Sequence, residues 1–224
     1  MIIRRIRSAH HRLNEESFAA GVPEGMNEKE WSEMLRARQD FKARKTALYA
    51  KVEAVKENED EIRQYLYWLS SEEVAHSILE AFWTMMHPAD MFWRVVLEQW
   101  PRCDCAWYNT PGLRSLFQHY KRKAGGDVRQ FMDDEDKAFF DSLPELVTVY
   151  RGANVDRLKG LSWTTEHKVA ATFARGHRGM KNAKPVIAHA RVRKSSIFFV
   201  NTGRNESEVV CNPRRAFLSE IYRP

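Results

Sequence analysis

The sequence predicts an α+β fold in which a helical region precedes a strand-rich region. Residues 27–57 contain neither Gly nor Pro and are dominated by Ala, Lys, Arg and Glu, a composition that favours a helix. Residues 61–142 carry apolar side chains at helical spacing. After Pro144 the chain turns to short β-branched and aromatic runs, which are typical of strands. An apolar fraction of 43% in 224 residues is enough for one packed domain with an extension.

Residues 1–58 are predicted to form an N-terminal helical extension. Asn27 is suited to cap its long helix, with Glu28 and Glu30 in the first turn, where negative charge is favourable. Apolar residues then recur every seventh position: Met34, Phe41, Leu48, Val55 and Ile62. The alternate heptad positions are small or charged, so we expect packing on the chain itself or on a partner rather than a coiled coil. An inhibitor or antitoxin protein is one such partner.

Residues 59–224 are predicted to form the main domain, with a helical part at 59–143. Ser71, Glu72 and Glu73 make a helix start, and Pro88 separates two helices. Another helical stretch is expected over 111–142, interrupted at Gly125-Gly126. The aromatic residues of this part fall at helical spacing and are interpreted as core rather than as a cofactor site: Tyr65, Trp68, Phe82, Trp83 and Phe92.

The remaining residues, 144–224, are predicted to form a strand-rich core. Strands are expected at 146–150, 161–165, 186–192, 197–200, 208–211 and 216–222, with a helix at 168–174. Helices first and strands afterwards indicate an antiparallel or mixed sheet.

Charge is distributed unevenly along the chain. The formal net charge is +6, but residues 151–224 carry 15 Lys or Arg against 5 Asp or Glu, whereas residues 1–150 have a net charge of −4. A basic segment attracts anions, so it suits a dinucleotide, a nucleic acid or an acidic protein surface.

Cysteine content and hydropathy exclude several classes of protein. Three cysteines do not make a disulfide framework, and Cys103-x-Cys105 with Cys211 lacks zinc-ligand spacing, so no metal is expected. No run approaches the roughly 18 apolar residues of a membrane span. The basic start is not followed by the apolar segment of a secretory signal. We therefore expect a cytoplasmic protein with no membrane partner.

Three short motifs stand in order in the second half of the chain. They are Tyr150-Arg151-Gly152, Leu161-Ser162-Trp163-Thr164-Thr165 and Glu206-Ser207-Glu208-Val209-Val210. Each motif alone is uninformative, because a strand end, a Ser-x-Thr and a Glu-x-Glu pair are common. Their order gains meaning from the helix-like stretch Lys168-Val-Ala-Ala-Thr-Phe-Ala174, which follows the second motif.

Together these motifs resemble the arginine–serine–glutamate class of ADP-ribosyltransferases, which includes clostridial binary-toxin-like enzymes, vertebrate arginine-specific ecto-enzymes and bacteriophage transferases. In that family an Arg ends the first core strand, and a Ser-Thr-Ser-like strand and an A-x-x-F-A helix follow. A Glu/Gln-x-Glu pair then opens a late strand. The resemblance covers residues 145–215 well and 60–145 only as helices of the right kind. It implies an ADP-ribosyltransferase-like core and NAD⁺ as co-substrate.

The resemblance also implies roles for individual residues. Glu208 would stabilise the positive charge that develops on the ribose when the nicotinamide bond breaks, and Ser162 would hold Glu208 by a hydrogen bond. Arg151 would bind the NAD⁺ phosphates, and Gly152 would let the backbone approach the nicotinamide amide. The other expected NAD⁺-binding residues are Trp163, which could stack or merely pack, Thr164 and Phe173.

The acceptor of the ADP-ribose is left open between a protein arginine and RNA or DNA. If Glu206 and Glu208 lie on one strand, their side chains point the same way, and in the family a Glu at the first position goes with arginine as acceptor. The turn at 201–205, where the family recognises its target, lacks the usual aromatic residue. The basic charge of residues 151–224 favours a nucleic acid. A basic loop at 175–184 is expected to be mobile and to cover NAD⁺.

Two other functions fit the same sequence: an NAD⁺ glycohydrolase, in which water takes the ribose, and a non-catalytic nucleic-acid-binding protein that keeps the fold. A transferase of this kind is hazardous to the cell that makes it. We therefore expect a phage protein, a delivered effector, or the toxin of a toxin–antitoxin or phage-defence system, acting in the cytoplasm of a bacterial cell.

Overall fold

The computed structural model of the chain describes residues 47, 50–52, 54–103, 106–177 and 180–223. The chain divides into two units, Met1–Ala50 and Lys51–Pro224, and the helices and strands given next belong to the second. Residues 51–52 and 54–55 are helical. The start predicted for the long helix at Asn27, and most of the predicted extension, lie outside the described residues.

Six α-helices follow in the part of the second unit that the structure describes. They are α1 Glu59–Tyr67, α2 Ser71–Ala81, α3 Ala89–Gln99, α4 Thr110–Lys123, α5 Asp134–Ser142 and α6 His167–Arg175. Their starts follow local chemistry: the Asn58 side chain accepts from the backbone N–H groups of Asp60 and Glu61. Pro88 precedes α3, so the predicted break between two helices is confirmed.

Helices α3 and α4 pack through an aromatic core. Phe92 stacks on Tyr120 with ring centroids 3.9 Å apart, and the indole N–H of Trp93 donates to the Tyr120 carbonyl at 3.3 Å. Phe199 of a later strand contacts Trp93 edge to face, so the same core continues into the sheet. The prediction of core aromatics is therefore confirmed for Phe92, but it is wrong for Trp68, whose side chain is 78% exposed.

Eight strands follow the first five helices. They are β1 Leu146–Asn154, β2 Ser162–Thr164, β3 Gly176–His177, β4 Met180–Lys181, β5 Pro185–Arg193, β6 Ile197–Asn201, β7 Glu208–Cys211 and β8 Ala216–Tyr222. Six of them form one sheet in the order β6-β7-β2-β1-β5-β8. Each pairing in that sheet is antiparallel, so the antiparallel alternative holds and the mixed one is wrong.

Strand β1 pairs very unequally with its two neighbours. Along β5 it is paired over its whole length, from Leu146 opposite Arg193 to Asn154 opposite Pro185. The strand therefore continues through Arg151 and Gly152, where the sequence had predicted its end. Along β2 it makes a single register pair, Tyr150 with Thr164. Because β1 and β2 stay together at only one point, the sheet opens between them.

Helix α6 lies against β1 at Gly152. A Cβ built on Gly152 would overlap the carbonyl oxygen of Ala170 in the helix, so no larger residue allows this approach. The Asn182 side chain donates to the carbonyls of Phe173 and Ala174, both at 2.9 Å, and so caps the C-terminal end of α6. Where a basic loop was predicted, β3 and β4 pair as a short hairpin.

Candidate functional site

A cleft of about 180 Å³ lies where β1 and β2 separate. One side, here called the Glu208 wall, consists of β2 and β7, which pair antiparallel with Thr164 opposite Glu208. The other side, here called the Arg151 wall, consists of β1 and α6. All the residues predicted for the site line this cleft: Arg151, Gly152, Ser162, Trp163, Thr164, Phe173, Glu206 and Glu208. Motifs up to 57 positions apart in the sequence are therefore brought together.

Glu208 opens β7 and is 8% exposed. Its Oε1 accepts a hydrogen bond of 3.0 Å from the indole N–H of Trp100, and the Ser162 side chain also hydrogen-bonds to its carboxylate. Burial raises the pKa of Glu208, and the two hydrogen bonds oppose that rise because they favour the charged form. A buried carboxylate with two donors has its orientation fixed.

Trp100 is a site residue that the sequence does not reveal. It follows α3 in a short 3₁₀ turn with Pro101, and its ring meets Phe117 and Phe199 edge to face. The aromatic core therefore places an indole donor against a carboxylate 108 positions later in the chain. Such a contact leaves no local pattern, and the spacing of aromatic residues on α3 indicated packing alone.

Glu206 lies outside β7, whereas the sequence predicts that Glu206 and Glu208 share one strand. The strand begins only at Glu208, because Glu206 has helical backbone angles and Ser207 has a positive φ of 44°. The argument from strand periodicity is therefore wrong. The Glu206 side chain nevertheless lines the cleft, and its charge raises the pKa of Glu208 further.

The turn between β6 and β7 is held from both ends. At its start, the backbone N–H and hydroxyl of Thr202 donate to Asp136 Oδ1 of α5 at 2.7 and 2.8 Å. At its end, the Thr164 hydroxyl donates to the Glu206 carbonyl at 2.7 Å, and the Ser207 hydroxyl donates to Glu166 Oε1 at 3.1 Å. The position of Glu206 is thus fixed by α5, β2 and the start of α6.

Arg151 lies in the opposite wall among backbone carbonyls. Its Nε donates to the Arg157 carbonyl at 3.1 Å, and its Nη1 donates to the Ser162 carbonyl. Gly160 makes room for the guanidinium, because a Cβ there would overlap Nη2. Burial lowers the pKa of Arg151 to about 10, while the nearby Cys211 and Glu208 favour its charged form. Arg151 is therefore a cation at neutral pH, and it forms no ion pair with any described carboxylate.

The remaining predicted residues contribute mainly to packing. Trp163 is buried, its indole N–H donates to the Gly160 carbonyl at 3.0 Å, and the residue also lines the cleft, so stacking on a ligand ring stays a prediction beside packing. The Thr164 hydroxyl is engaged with the backbone at Glu206 and Glu166. Gly152 permits the close contact between α6 and β1. This packing role is separate from the role that the resemblance implies for Gly152, which is to let the backbone approach nicotinamide.

Within the described ranges, no three His, Cys, Asp or Glu side chains are grouped to hold a metal ion. No helix in those same ranges has the length and apolarity needed to cross a bilayer. Comparison of the chain with models of protein families, with curated proteins and with solved structures found no match in any of the three.

Proposed function

We propose that this protein is an NAD⁺-dependent mono-ADP-ribosyltransferase of the arginine–serine–glutamate class, with an ADP-ribosyltransferase-like core. The observation that carries the proposal is the buried Glu208, held by Ser162 and Trp100 in the same cleft as Arg151, a cation that makes no ion pair with the carboxylates of the described residues. An oriented carboxylate on one side and a cation on the other suit a ribose that becomes positively charged and a pyrophosphate that is negatively charged.

Glu208 performs the central step in this proposal. As the bond between nicotinamide and ribose breaks, positive charge develops on the ribose, and the ionised carboxylate stabilises that charge more than it stabilises the ground state. The donors on Glu208 keep the carboxylate in place, so little reorganisation is needed during the reaction. Because burial raises its pKa, Glu208 needs a higher pH than an exposed carboxylate to be fully active.

Arg151 binds the phosphates of NAD⁺ in this proposal. Its two carbonyl partners are neutral, and a charge-assisted hydrogen bond to a phosphate is stronger than one to a neutral group. The cleft encloses about 180 Å³, which is less than the roughly 300–1,000 Å³ of typical ligand pockets. In this proposal the nicotinamide–ribose end of NAD⁺ lies beside Glu208, and the rest of the molecule extends beyond the cleft.

The acceptor proposed for the transfer is a protein arginine. Glu206 lines the same cleft as Glu208, and its Oε2 already lies 3.1 Å from a guanidinium nitrogen, that of Arg204. A carboxylate in this position can orient the guanidinium of an incoming arginine toward the ribose. The basic charge of residues 151–224 makes RNA or DNA the second candidate acceptor.

The test incubates the purified protein with labelled NAD⁺ and a bacterial lysate. We expect a labelled macromolecule whose label is lost on protease digestion and retained on nuclease digestion. Glu208→Gln is expected to abolish labelling, whereas Glu220→Gln, which changes an exposed carboxylate on β8, is expected to retain it. Loss of label to nuclease would move the acceptor to nucleic acid. Nicotinamide release without any transferred label would indicate a glycohydrolase, and no turnover of NAD⁺ would contradict the proposal altogether.

A further inference from the structure

The turn before β7 places an arginine of the chain itself inside the cleft. Arg204 lines the cleft together with Glu206 and Glu208, and its Nη2 lies 3.1 Å from Glu206 Oε2. Its side chain remains 39% exposed, so the guanidinium is accessible to a bound ligand. It also lies close enough to Glu208 for its charge to favour the ionised carboxylate. A guanidinium thus occupies the position that the proposed function gives to an acceptor arginine.

The backbone of this turn is strained in a way that presents the arginine. Arg204, Asn205 and Ser207 have positive φ values of 62°, 55° and 44°, and each such residue costs on the order of 1 kcal/mol or more. An ion pair between exposed side chains contributes about 0–1 kcal/mol. The pair of Arg204 with Glu206 is therefore too weak to hold the turn in this conformation.

The anchors at the two ends of the turn hold it instead. Asp136 binds Thr202 through two hydrogen bonds, and Thr164 and Glu166 bind the backbone of Glu206 and the hydroxyl of Ser207. The direction of Arg204 into the cleft is consequently imposed by the surrounding fold and does not depend on its own ion pair. Strain that is maintained by the fold beside a proposed active site suggests a functional role for the residue that it positions.

From this geometry we propose that Arg204 is a modification site: it accepts ADP-ribose from NAD⁺ bound in the cleft of the same molecule. The inference rests on the proposed function, since it needs NAD⁺ at Glu208. It adds an acceptor that belongs to the chain, whereas the proposed function concerns an external one.

The reaction balances with the groups that are present. The bond between ribose C1′ and the nicotinamide nitrogen breaks, and nicotinamide leaves as a neutral molecule with the electron pair of that bond. A nitrogen of Arg204 gives a proton to Glu206, which lies beside it, and its lone pair forms the new bond to C1′. Glu206 then releases the proton to solvent. The product is a substituted guanidinium that keeps one positive charge, so one proton is released for each transfer and no further reactant is needed.

The experiment incubates the full chain with NAD⁺ and no other acceptor. Nicotinamide release, the intact mass and the modified peptide are measured in parallel. We expect one ADP-ribose unit per chain, located on Arg204, and a first-order rate constant that does not change when the protein is diluted. An intramolecular acceptor reacts without a bimolecular encounter, so dilution leaves it unaffected.

Arg204→Lys is expected to reduce the incorporated ADP-ribose by at least about tenfold, since only the guanidinium is presented to Glu206. The matched control is Arg215→Ala, which removes an exposed arginine outside the cleft and should keep the modification on Arg204. Nicotinamide release with the ADP-ribose unit elsewhere, or with none on the chain, would overturn this inference and leave NAD⁺ cleavage standing. A rate constant proportional to protein concentration would also overturn it. Absence of nicotinamide release would likewise overturn it, and the proposed function is then decided separately by the incubation with NAD⁺ and a lysate, which supplies an external acceptor.

Discussion

The two walls of the cleft differ in how they hold their charged residue. On the Glu208 wall the carboxylate receives hydrogen bonds from Trp100 and Ser162, and Trp100 is itself packed in the aromatic core. The Arg151 guanidinium is held by two backbone carbonyls, that of Arg157 and that of Ser162 on the facing Glu208 wall. Both charged groups are therefore held by neutral partners, and neither forms an ion pair within the described residues. The carboxylate is held by side chains, one of them packed in the aromatic core, whereas the guanidinium is held by the backbone. The difference suits a cleft in which the carboxylate acts in place and the arginine receives a negatively charged ligand.

Removing the charge of Glu208 tests the first wall most strongly. We expect Glu208→Gln to lower kcat for NAD⁺ cleavage by about 10³-fold, since one electrostatic contact to a transition state is worth roughly that much. The amide keeps an oxygen to accept from Trp100, so the fold should remain. The rate of nicotinamide release measures the effect, and a loss of less than about tenfold would remove Glu208 from its central role.

The stability of the same variant tests whether burial raises the pKa of Glu208. Because that pKa is higher in the folded state, Glu208 adds to the free energy of unfolding at pH values below its unfolded pKa. That contribution is lost as the pH rises through the folded pKa, so the ionised group destabilises the protein at pH 7. Glu208→Gln should therefore have a Tm at pH 7 that is equal to or higher than that of the wild type. The advantage should shrink at pH 4.

Gly152→Ala tests whether the Arg151 wall depends on close packing of α6. The added Cβ would overlap the Ala170 carbonyl oxygen, which is backbone and cannot turn aside. We expect a loss of about 3 kcal/mol in the free energy of unfolding, the upper part of the range for overpacking. Chemical denaturation measures it. Gly112→Ala is the control, because its Cβ would meet only the end of the Leu79 side chain at 2.8 Å and should cost much less. Equal costs for the two variants would refute the packing role.

The strands of the six-stranded sheet could be predicted from the sequence because their signals are local. Runs of β-branched and aromatic residues bounded by polar turns mark β5 to β8 within one residue of their observed limits. Strand β1 extends four residues beyond its predicted end, through Arg151 and Gly152, because β5 pairs with it up to Asn154. The length of a strand is set by its partner, which a local pattern does not include.

The candidate site was predictable in part for the same reason. The ordered motifs of Arg151, Ser162 and Glu208 are local strings, and the fold brings all three to one cleft. The donor from Trp100 and the anchor from Asp136 to Thr202 join residues 108 and 66 positions apart. Those contacts depend on tertiary packing. Glu206 lies outside the strand because the positive φ of Ser207 interrupts it, and a serine in the sequence does not indicate that conformation.

Replacing Arg151 by lysine tests whether its unneutralised charge serves NAD⁺ binding. Lysine keeps the charge but lacks the planar guanidinium. It therefore cannot bind the Arg157 and Ser162 carbonyls and a phosphate at the same time. We expect the KM for NAD⁺ to rise about tenfold, with a smaller change in kcat. Arg191→Lys, on the exposed surface of β5, should leave both constants unchanged. A fall in kcat with an unchanged KM would assign Arg151 to the chemical step and erase the contrast between the walls.

Replacing Trp100 by phenylalanine has the smallest expected effect and the most specific one. Phenylalanine retains most of the packing against Phe117 and Phe199 but has no N–H to donate to Glu208. A hydrogen bond to a charged group is worth about 1.5 kcal/mol, and one pKa unit corresponds to about 1.4 kcal/mol. The pKa of Glu208 should therefore rise further. The acid limb of the pH profile of kcat/KM should move to higher pH, with activity recovering well above it.

Trp93→Phe is the matched control for this last variant. Trp93 is also buried in the aromatic core, and its indole N–H donates to the Tyr120 carbonyl and not to the site. Both variants lose one indole hydrogen bond and similar packing, so both should lower the free energy of unfolding, but only Trp100→Phe should move the pH profile. If the two profiles shift together, the aromatic core acts on the cleft through general loosening. If neither pH profile shifts, the hydrogen bond from Trp100 does not affect the pKa of Glu208, and Ser162 is the donor that does.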